Sequence, residues 1–528
     1  MSVPTVNRPA MEVVPTSHGL LVAMGRFAAQ IGLLDALQRV PVKMKTIDHT
    51  PGDKLAELLA HTLAGGMHLK ELETSPRPLV RDAAVAQAWG QAAFASASGV
   101  SDLLRAATPA TVEAFRAAVR EVAAPYRRRV LRDLTPAWLV VDFDLTGLVV
   151  SDQAATYEGA DYGYMGEVGG VAKGYQFARA QVAGRHEALL LGGFLHPGRT
   201  VSGACLAELV GLVEAELGRP RRRAEAVAAR LTTAERALAA LDAALAGPAG
   251  TGRRAARGRE RLVAQRARAA DEVTRLRAYH ATLVAENATT PIPRRIILRL
   301  DGGFGAAAHV AWLYEQGYDV VARAHSHRVA ARLRADDGLT WDKTSKNAWI
   351  AESRQTALGA CPYPLRLFAC RQWRGEGQPE RWSALLVTPE LAAREWPARR
   401  VGTFYNQRQV AEATIKEGKT VLASRHLPTR RAAGIALYQQ VVLLAQNLLR
   451  WFRRHGLGGT ALAAAGLKDL VRVGANSAAL LVRRGGGLVL QFTAPGPWQG
   501  ICLPLRPHVS YQLWFPFLED RTLVPGGP

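Results

Sequence analysis

Two aspartates lie two residues apart in WLVVDFDLTGLVV, a β-branched, apolar run bounded by Thr and Gly that predicts a buried strand. Side chains on a strand alternate with period two, so Asp142 and Asp144 share one face. A third aspartate, Asp301, follows a second predicted strand, RRIILRL, and precedes a Gly-Gly turn. Ligands and catalytic groups of open α/β sheets gather at that C-terminal edge. In YNQRQVAEATIKEGK, Tyr405, Arg408, Glu412 and Lys419 stand at steps of 3, 4 and 7. On one continuous helix this spacing presents an aromatic hydroxyl, a cation, an acid and a cation on a single face, and Lys416 adds to the stripe. Each piece has a plainer reading: a strand-end Asp caps a turn, and Arg408, Glu412 and Lys416 make surface ion pairs. Their order along the chain (strand acid, strand acid, helix acid) favours one site built from all of them.

An α/β core in three pieces would position these groups. Residues 136–218 give the DFD strand, a Gly- and Tyr-rich stretch, the strand ALLLGGFL and a helix from Ser202 to Leu217. Residues 291–323 read as strand, helix (AAAHVAWLYEQG) and strand (YDVVARA), a β–α–β unit that implies adjacent parallel strands. Residues 401–455 carry the Glu412 helix. Two segments interrupt the core. Within 219–290, Val227, Leu231, Ala234, Leu238, Leu241 and Leu245 form a heptad seam that GPAGTG breaks, predicting an antiparallel helical hairpin. From Arg219 to Glu286 the hairpin holds fifteen Arg against seven acids, which suits a solvated scaffold face or an arm on nucleic acid. Residues 324–400, with Trp341, Trp349, Trp373, Trp382 and the strand SALLVTP, predict a small β-rich insertion. Residues 1–135 read as mostly helical, either a helix-turn-helix end-binding unit or a packing domain. Residues 456–528 are mixed and rich in Gly and Pro, closing the chain as a helical tail.

Composition narrows the function classes. The 528 residues are 48% hydrophobic and 21% charged, enough for sizeable cores and against global disorder. The net charge of +22 favours a polyanionic partner. No run of about 18 apolar residues lacks charges, which speaks against a membrane span, and the N-terminal sequence has no secretory pattern. Four cysteines without a CxxC pair exclude a disulfide framework and the common cysteine zinc motifs. A cytoplasmic, basic protein of several parts is expected.

The acid in VVDFDLT, Asp301 in ILRLDGGFG and the spacing Tyr-x2-Arg-x3-Glu-x6-Lys together resemble the DDE transposases of bacterial insertion sequences, in particular the group bearing the Tyr-Arg-Glu-Lys signature. The resemblance covers roughly residues 135–455, and the 324–400 segment fits the β-rich insertion that this group carries between its second Asp and its Glu. It implies a ribonuclease H-like mixed sheet. It also implies that Asp144, Asp301 and Glu412 are the catalytic, metal-binding triad, with Asp142 the alternative first acid. Asp144 is preferred because Thr146 follows it in a turn, as in the family. Tyr405, Arg408, Lys416 and Lys419 would hold the DNA backbone. Mg²⁺ is the expected cofactor, with Mn²⁺ able to substitute, because three carboxylates supply the oxygen ligands a hard cation takes. The partners implied are double-stranded DNA, as transposon ends and target, and further copies of the chain on DNA. No membrane is implied, and the site of action is the cytoplasm, at the nucleoid. The long hairpin before Asp301 departs from the simplest family pattern. A stand-alone nuclease on the same core and a catalytically inactive DNA-binding descendant are the alternatives.

Lesser signals have simpler readings. His325 and His327 suggest a metal pair but fit contacts with phosphate or solvent better. The insertion's tryptophans could stack on an unpaired base but fit the core of a small β unit. GRPRRR resembles a localisation patch and reads more simply as solvated arginines after a helix end.

Overall fold

The computed structural model describes residues 13–45, 48–133, 138–152, 157–166, 168–183, 188–248, 252–290, 293–359, 361–484 and 487–505. In chain order its first elements are β1 (Val13–Thr16), α1 (Gly19–Gln30), α2 (Leu33–Gln38), α3 (Pro51–Leu63), α4 (Glu71–Thr74), α5 (Ala83–Ala88), α6 (Ala97–Ala106) and α7 (Pro109–Asp133). There follow β2 (Leu139–Val149), β3 (Asp161–Met165), β4 (Gly170–Ala183), β5 (Ala188–Pro197) and α8 (Leu206–Leu217). Next come α9 (Ala224–Ala246), α10 (Arg253–Ala288), β6 (Ile296–Leu300), α11 (Ala307–Glu315), β7 (Asp319–Arg323) and α12 (His327–Arg334). The strands β8 (Asp342–Ser345), β9 (Ala348–Glu352), β10 (Arg366–Gln372) and β11 (Arg381–Val387) precede α13 (Ala398–Asn406), α14 (Gln409–Thr420) and α15 (Ala432–Trp451). The strands β12 (Ala479–Arg484), β13 (Gly487–Phe492) and β14 (Cys502–Leu505) close the described chain. The chain divides into two compact units: Met1–Asp133, Leu145–Thr200 and Val410–Pro528 in the first, and Leu134–Asp144 with Val201–Gln409 in the second.

In the first unit, β4 pairs antiparallel with both β3 and β5. The helix α15 packs against β5, α7, α3 and α6. It is long and apolar enough to cross a membrane, with a mean hydropathy of 1.3, but 83% of that window is buried inside the protein. Its polar side chains explain why: Gln440 donates to the Gly193 carbonyl at 2.7 Å, and the Asn447 amide both donates to and accepts from the Leu190 backbone, at 2.9 and 3.0 Å. These side chains satisfy buried backbone groups of β5, which lipid could not do.

The C-terminal region corrects the expected helical tail. ALLVRR and GLVLQF are short apolar runs with glycines between them, and they form an antiparallel sheet in the order β1-β12-β13-β14. Val13–Thr16, inside the region expected to be helical, pairs with β12. Residues 506–528 lie outside the described residues.

In the second unit, β2, β6 and β7 run parallel, with Leu139 opposite Ile296 and Asp142 opposite Arg299. This is the arrangement that the β–α–β pattern predicts. Beyond β7 the order continues β11-β10-β9-β8, antiparallel throughout. The β-rich segment is therefore no separate small unit. SALLV pairs with the apolar β7 and prolongs its sheet over one core of Ile297, Val321, Ile350, Phe368 and Trp396.

The hairpin α9–α10 packs through Ala224, Val227, Leu276 and Leu283. GRPRRR, which the sequence presents as solvated, supplies its root. Arg222, 4% exposed, binds Glu214 at 2.6 Å and Glu286 at 2.5 Å. Arg223 binds Asp319 at 2.5 Å and lies 4.2 Å over the Tyr314 ring. A guanidinium can satisfy several acceptors at once, so two adjacent arginines replace water there with protein carboxylates.

Candidate active site

The sheet gives the two aspartates of the DFD strand different surroundings. Asp142 lies inside the β2–β6 pairing, opposite Arg299, and Arg299 donates to both its oxygens, at 2.7 and 2.8 Å. Both side chains are at most 1% exposed, and Arg299 also donates to the Phe404 carbonyl at 2.9 Å. A two-pronged pair of this kind commits Asp142 to holding the sheet. Asp144 lies two residues further on, past the registered pairing. It accepts from Arg408 Nη2 at 2.9 Å.

Asp301 follows the last residue of β6, and its Oδ2 lies 3.7 Å from the same Arg408 nitrogen. Two carboxylates from neighbouring parallel strands thus converge on one guanidinium, which also donates to the Phe143 carbonyl at 3.2 Å. Arg408 is 6% exposed. Burial raises the pKa of Asp301 and the charge of Asp144 adds to the rise, while Arg408 and the Gly303 amide pull it back. Burial works against the charge on Arg408, yet Asp144 and Asp301 together raise its pKa above the ordinary value.

Glycines shape the turn that holds Asp301. The Gly303 amide donates to Asp301 Oδ1 at 3.0 Å. A side chain at Gly305 would meet the Arg323 carbonyl oxygen at 1.7 Å, so only glycine lets these backbones approach. His325 Nδ1 is 3.0 Å from the Gly302 carbonyl, which ties that histidine to the Asp301 turn.

The helix carrying the signature spacing is not continuous. It breaks at Gln407 and Arg408, so Tyr405 lies in the last turn of α13 while Glu412, Lys416 and Lys419 ride on α14. This corrects the single-face reading: the turn frees Arg408 to point at the aspartates. Tyr405 packs against the core of Ile297 and Trp396, and burial pushes its hydroxyl up to about 12. Glu412 and Lys416 are exposed, in the first and second turns of α14. Lys419 donates to the Gly147 carbonyl at 3.3 Å and lines a cavity of about 290 Å³ with Arg425, His426 and Arg472.

Among the described residues no three His, Cys, Asp or Glu side chains form a group able to hold a metal ion, the His325/His327 pair included. The donor chemistry of Asp144 and Asp301, hard carboxylate oxygens from neighbouring strands, nevertheless suits a divalent cation. The tryptophans are largely engaged with arginine. Arg371 lies 4.5 Å over Trp341 and 5.2 Å over Trp349, Arg334 lies 5.2 Å over Trp382, and Trp373 is 45% exposed.

One residue beside the site escapes sequence reasoning. Arg299 carries a signal, an arginine inside a buried apolar strand beside a strand with two acids, which demands an acidic partner. His325, which the sequence offers as half of a metal pair, is placed by the fold against the Asp301 turn. Residues 258–505 match the family model described as transposase DDE domain, group 1. The match takes in Asp301 and Glu412 and begins after the DFD strand. No curated protein matches the chain.

Proposed function

From the match of residues 258–505 to the transposase DDE domain model, we propose that the chain binds the terminal inverted repeats of its own insertion sequence and cuts and rejoins DNA by cut-and-paste transposition. Its mixed α/β architecture is compatible with a ribonuclease H-like core. The observation that carries the reading is the convergence of Asp144 and Asp301 on Arg408 where β2 runs past β6. Asp144 is the first acid, because Asp142 is consumed by Arg299. Glu412 is the third, on the strength of its spacing and of the resemblance.

These three carboxylates would hold Mg²⁺, or Mn²⁺ in its place. Bound divalent cations supply charge stabilisation for both the attacking and the leaving oxygen of an in-line phosphoryl displacement. In the first step a water oxygen bonds to phosphorus, the P–O3′ bond breaks, and the 3′ oxygen leaves with a proton. In the second, that 3′-OH attacks a phosphodiester of the target and displaces another 3′ oxygen. The side chains of this protein position and neutralise. Arg408 keeps the two aspartates together. Tyr405, its hydroxyl pushed up to about 12, stays protonated at neutral pH and serves as a hydrogen-bond donor to phosphate rather than as a nucleophile. Lys416 and Lys419 add point charges for the DNA backbone. Since two ends must be joined, the chain acts as an oligomer on double-stranded DNA, at the nucleoid.

The test is cleavage and joining of the DNA that flanks the chain's own reading frame, in Mg²⁺. Asp144→Asn, Asp301→Asn and Glu412→Gln should each abolish cutting, by at least a thousandfold, with folding intact. Asp142→Asn should instead lower thermal stability. Cutting that survives at wild-type level in the first three would sink the assignment. Cut but unjoined products would leave a nuclease, and binding without cutting an inactive descendant.

A further inference from the structure

One face of α10 is a stripe of arginine that the proposed active site does not use. Between Arg253 and Arg268 the helix carries seven Arg and one acid, Glu260. At about 100° per residue, Arg253, Arg254, Arg257, Arg261 and Arg268 fall within about 100° of arc over about 22 Å of helix. All five are exposed. The other two arginines show which way the stripe faces. Arg266 binds Asp242 of α9 at 2.8 Å, and Arg259 donates to the Leu245 carbonyl of α9 at 3.0 Å. Both sit on the opposite side of α10, so the five-arginine face points away from the helix that α10 packs against. Among the described residues none of the five pairs with an acid. Asp271 and Glu272 end the stripe.

A single-sign stripe costs self-repulsion and gives nothing to the fold, whose hairpin is held elsewhere, through Leu276, Leu283 and the buried Arg222. We propose that this face of α10 is a second DNA-binding surface that grips the phosphate backbone of duplex DNA without reading its sequence. The proposal rests on DNA being the substrate. Five guanidiniums over about 22 Å suit a run of phosphates, each offering a two-pronged acceptor. The five side chains are identical and all donors, which matches the uniform phosphate backbone better than a varied sequence of base edges, and the stripe carries no large aromatic or apolar face, so insertion into lipid does not fit it. Its rigid root on β7 and α11, through Arg223 and Arg230, lets the arm hold DNA in place.

The test uses the full-length chain with all five arginines changed to Gln. Affinity for a duplex of arbitrary sequence is measured against salt concentration. At about 0.9 per neutralised phosphate, the slope of log K on log salt should fall in magnitude by about 4–5 units, with helix content and melting temperature unchanged. A slope within one unit of wild type overturns the surface even where wild type cuts its ends, which leaves the proposed function standing. A wild-type chain that neither binds nor cuts duplex DNA overturns both. Loss of binding to RNA of equal length, with DNA binding intact, assigns the arm to RNA and overturns the proposal.

Discussion

Asp142 and Asp144 are two residues apart on one strand face, yet differ in what surrounds them. A guanidinium grips Asp142 on both oxygens at 1% exposure or less, whereas Asp144 shares its cation with Asp301. Environment sets the role of a carboxylate, and Glu57 in α3 shows the same rule away from the site. It is fully buried, one oxygen accepts from the Ala95 amide at 2.8 Å, and Oε1 has no partner among the described residues. Burial pushes its carboxyl up to about 8, against the pull of the Ala95 amide and Lys54. Below its ordinary value of 4.5 the folded and unfolded chains are both protonated there. From there to about 8 the unfolded chain releases a proton that the folded one keeps, so stability falls as pH rises and then levels off. Glu57→Gln should flatten this slope and make the protein more stable than wild type at pH 8. Denaturant midpoints at pH 5, 6.5 and 8 check it, and an unchanged slope would refute it.

Elements that look alike in sequence part company by what anchors them. The Tyr405–Lys419 stretch keeps its helical spacing on paper, but the chain breaks it at Gln407 because Arg408 gains two carboxylates and the Phe143 carbonyl by turning away from the helix face. In the α9–α10 hairpin, the heptad seam marks the helices while the arginine run before it anchors them. Arg222→Ala would take from Glu214 and Glu286 the guanidinium they share, leaving Glu214 to Arg219 at 3.4 Å, a cost of about 3–5 kcal/mol for a broken buried pair. Arg221→Ala, 71% exposed one residue away, should leave the denaturation midpoint unchanged. Urea titrations of both variants check the contrast, and equal midpoints would show that the root is not where the hairpin is held.

For the whole molecule, charge and chemistry are separable. On the proposed function, the +22 net charge would act on any duplex, whereas the acids would act on one bond. Asp144→Asn and Asp301→Asn, each inactive, should therefore bind duplex DNA at least as well as wild type. Six to ten phosphate contacts predict an affinity loss of about 10³ or more between 50 and 200 mM salt. Fluorescence anisotropy checks it, and salt-independent affinity would count against the electrostatic account. The sequence alone determined the strands, their acids, the parallel β–α–β unit and the helical hairpin, because period and turn chemistry are local properties. Only the tertiary structure decided that Asp142 belongs to the sheet, that Arg408 sits between Asp144 and Asp301, that Arg222 of GRPRRR is buried, and that Ala479–Arg484 pairs as a strand with Val13–Thr16. Each of these depends on which distant partner removes a group from water, and no local pattern records that.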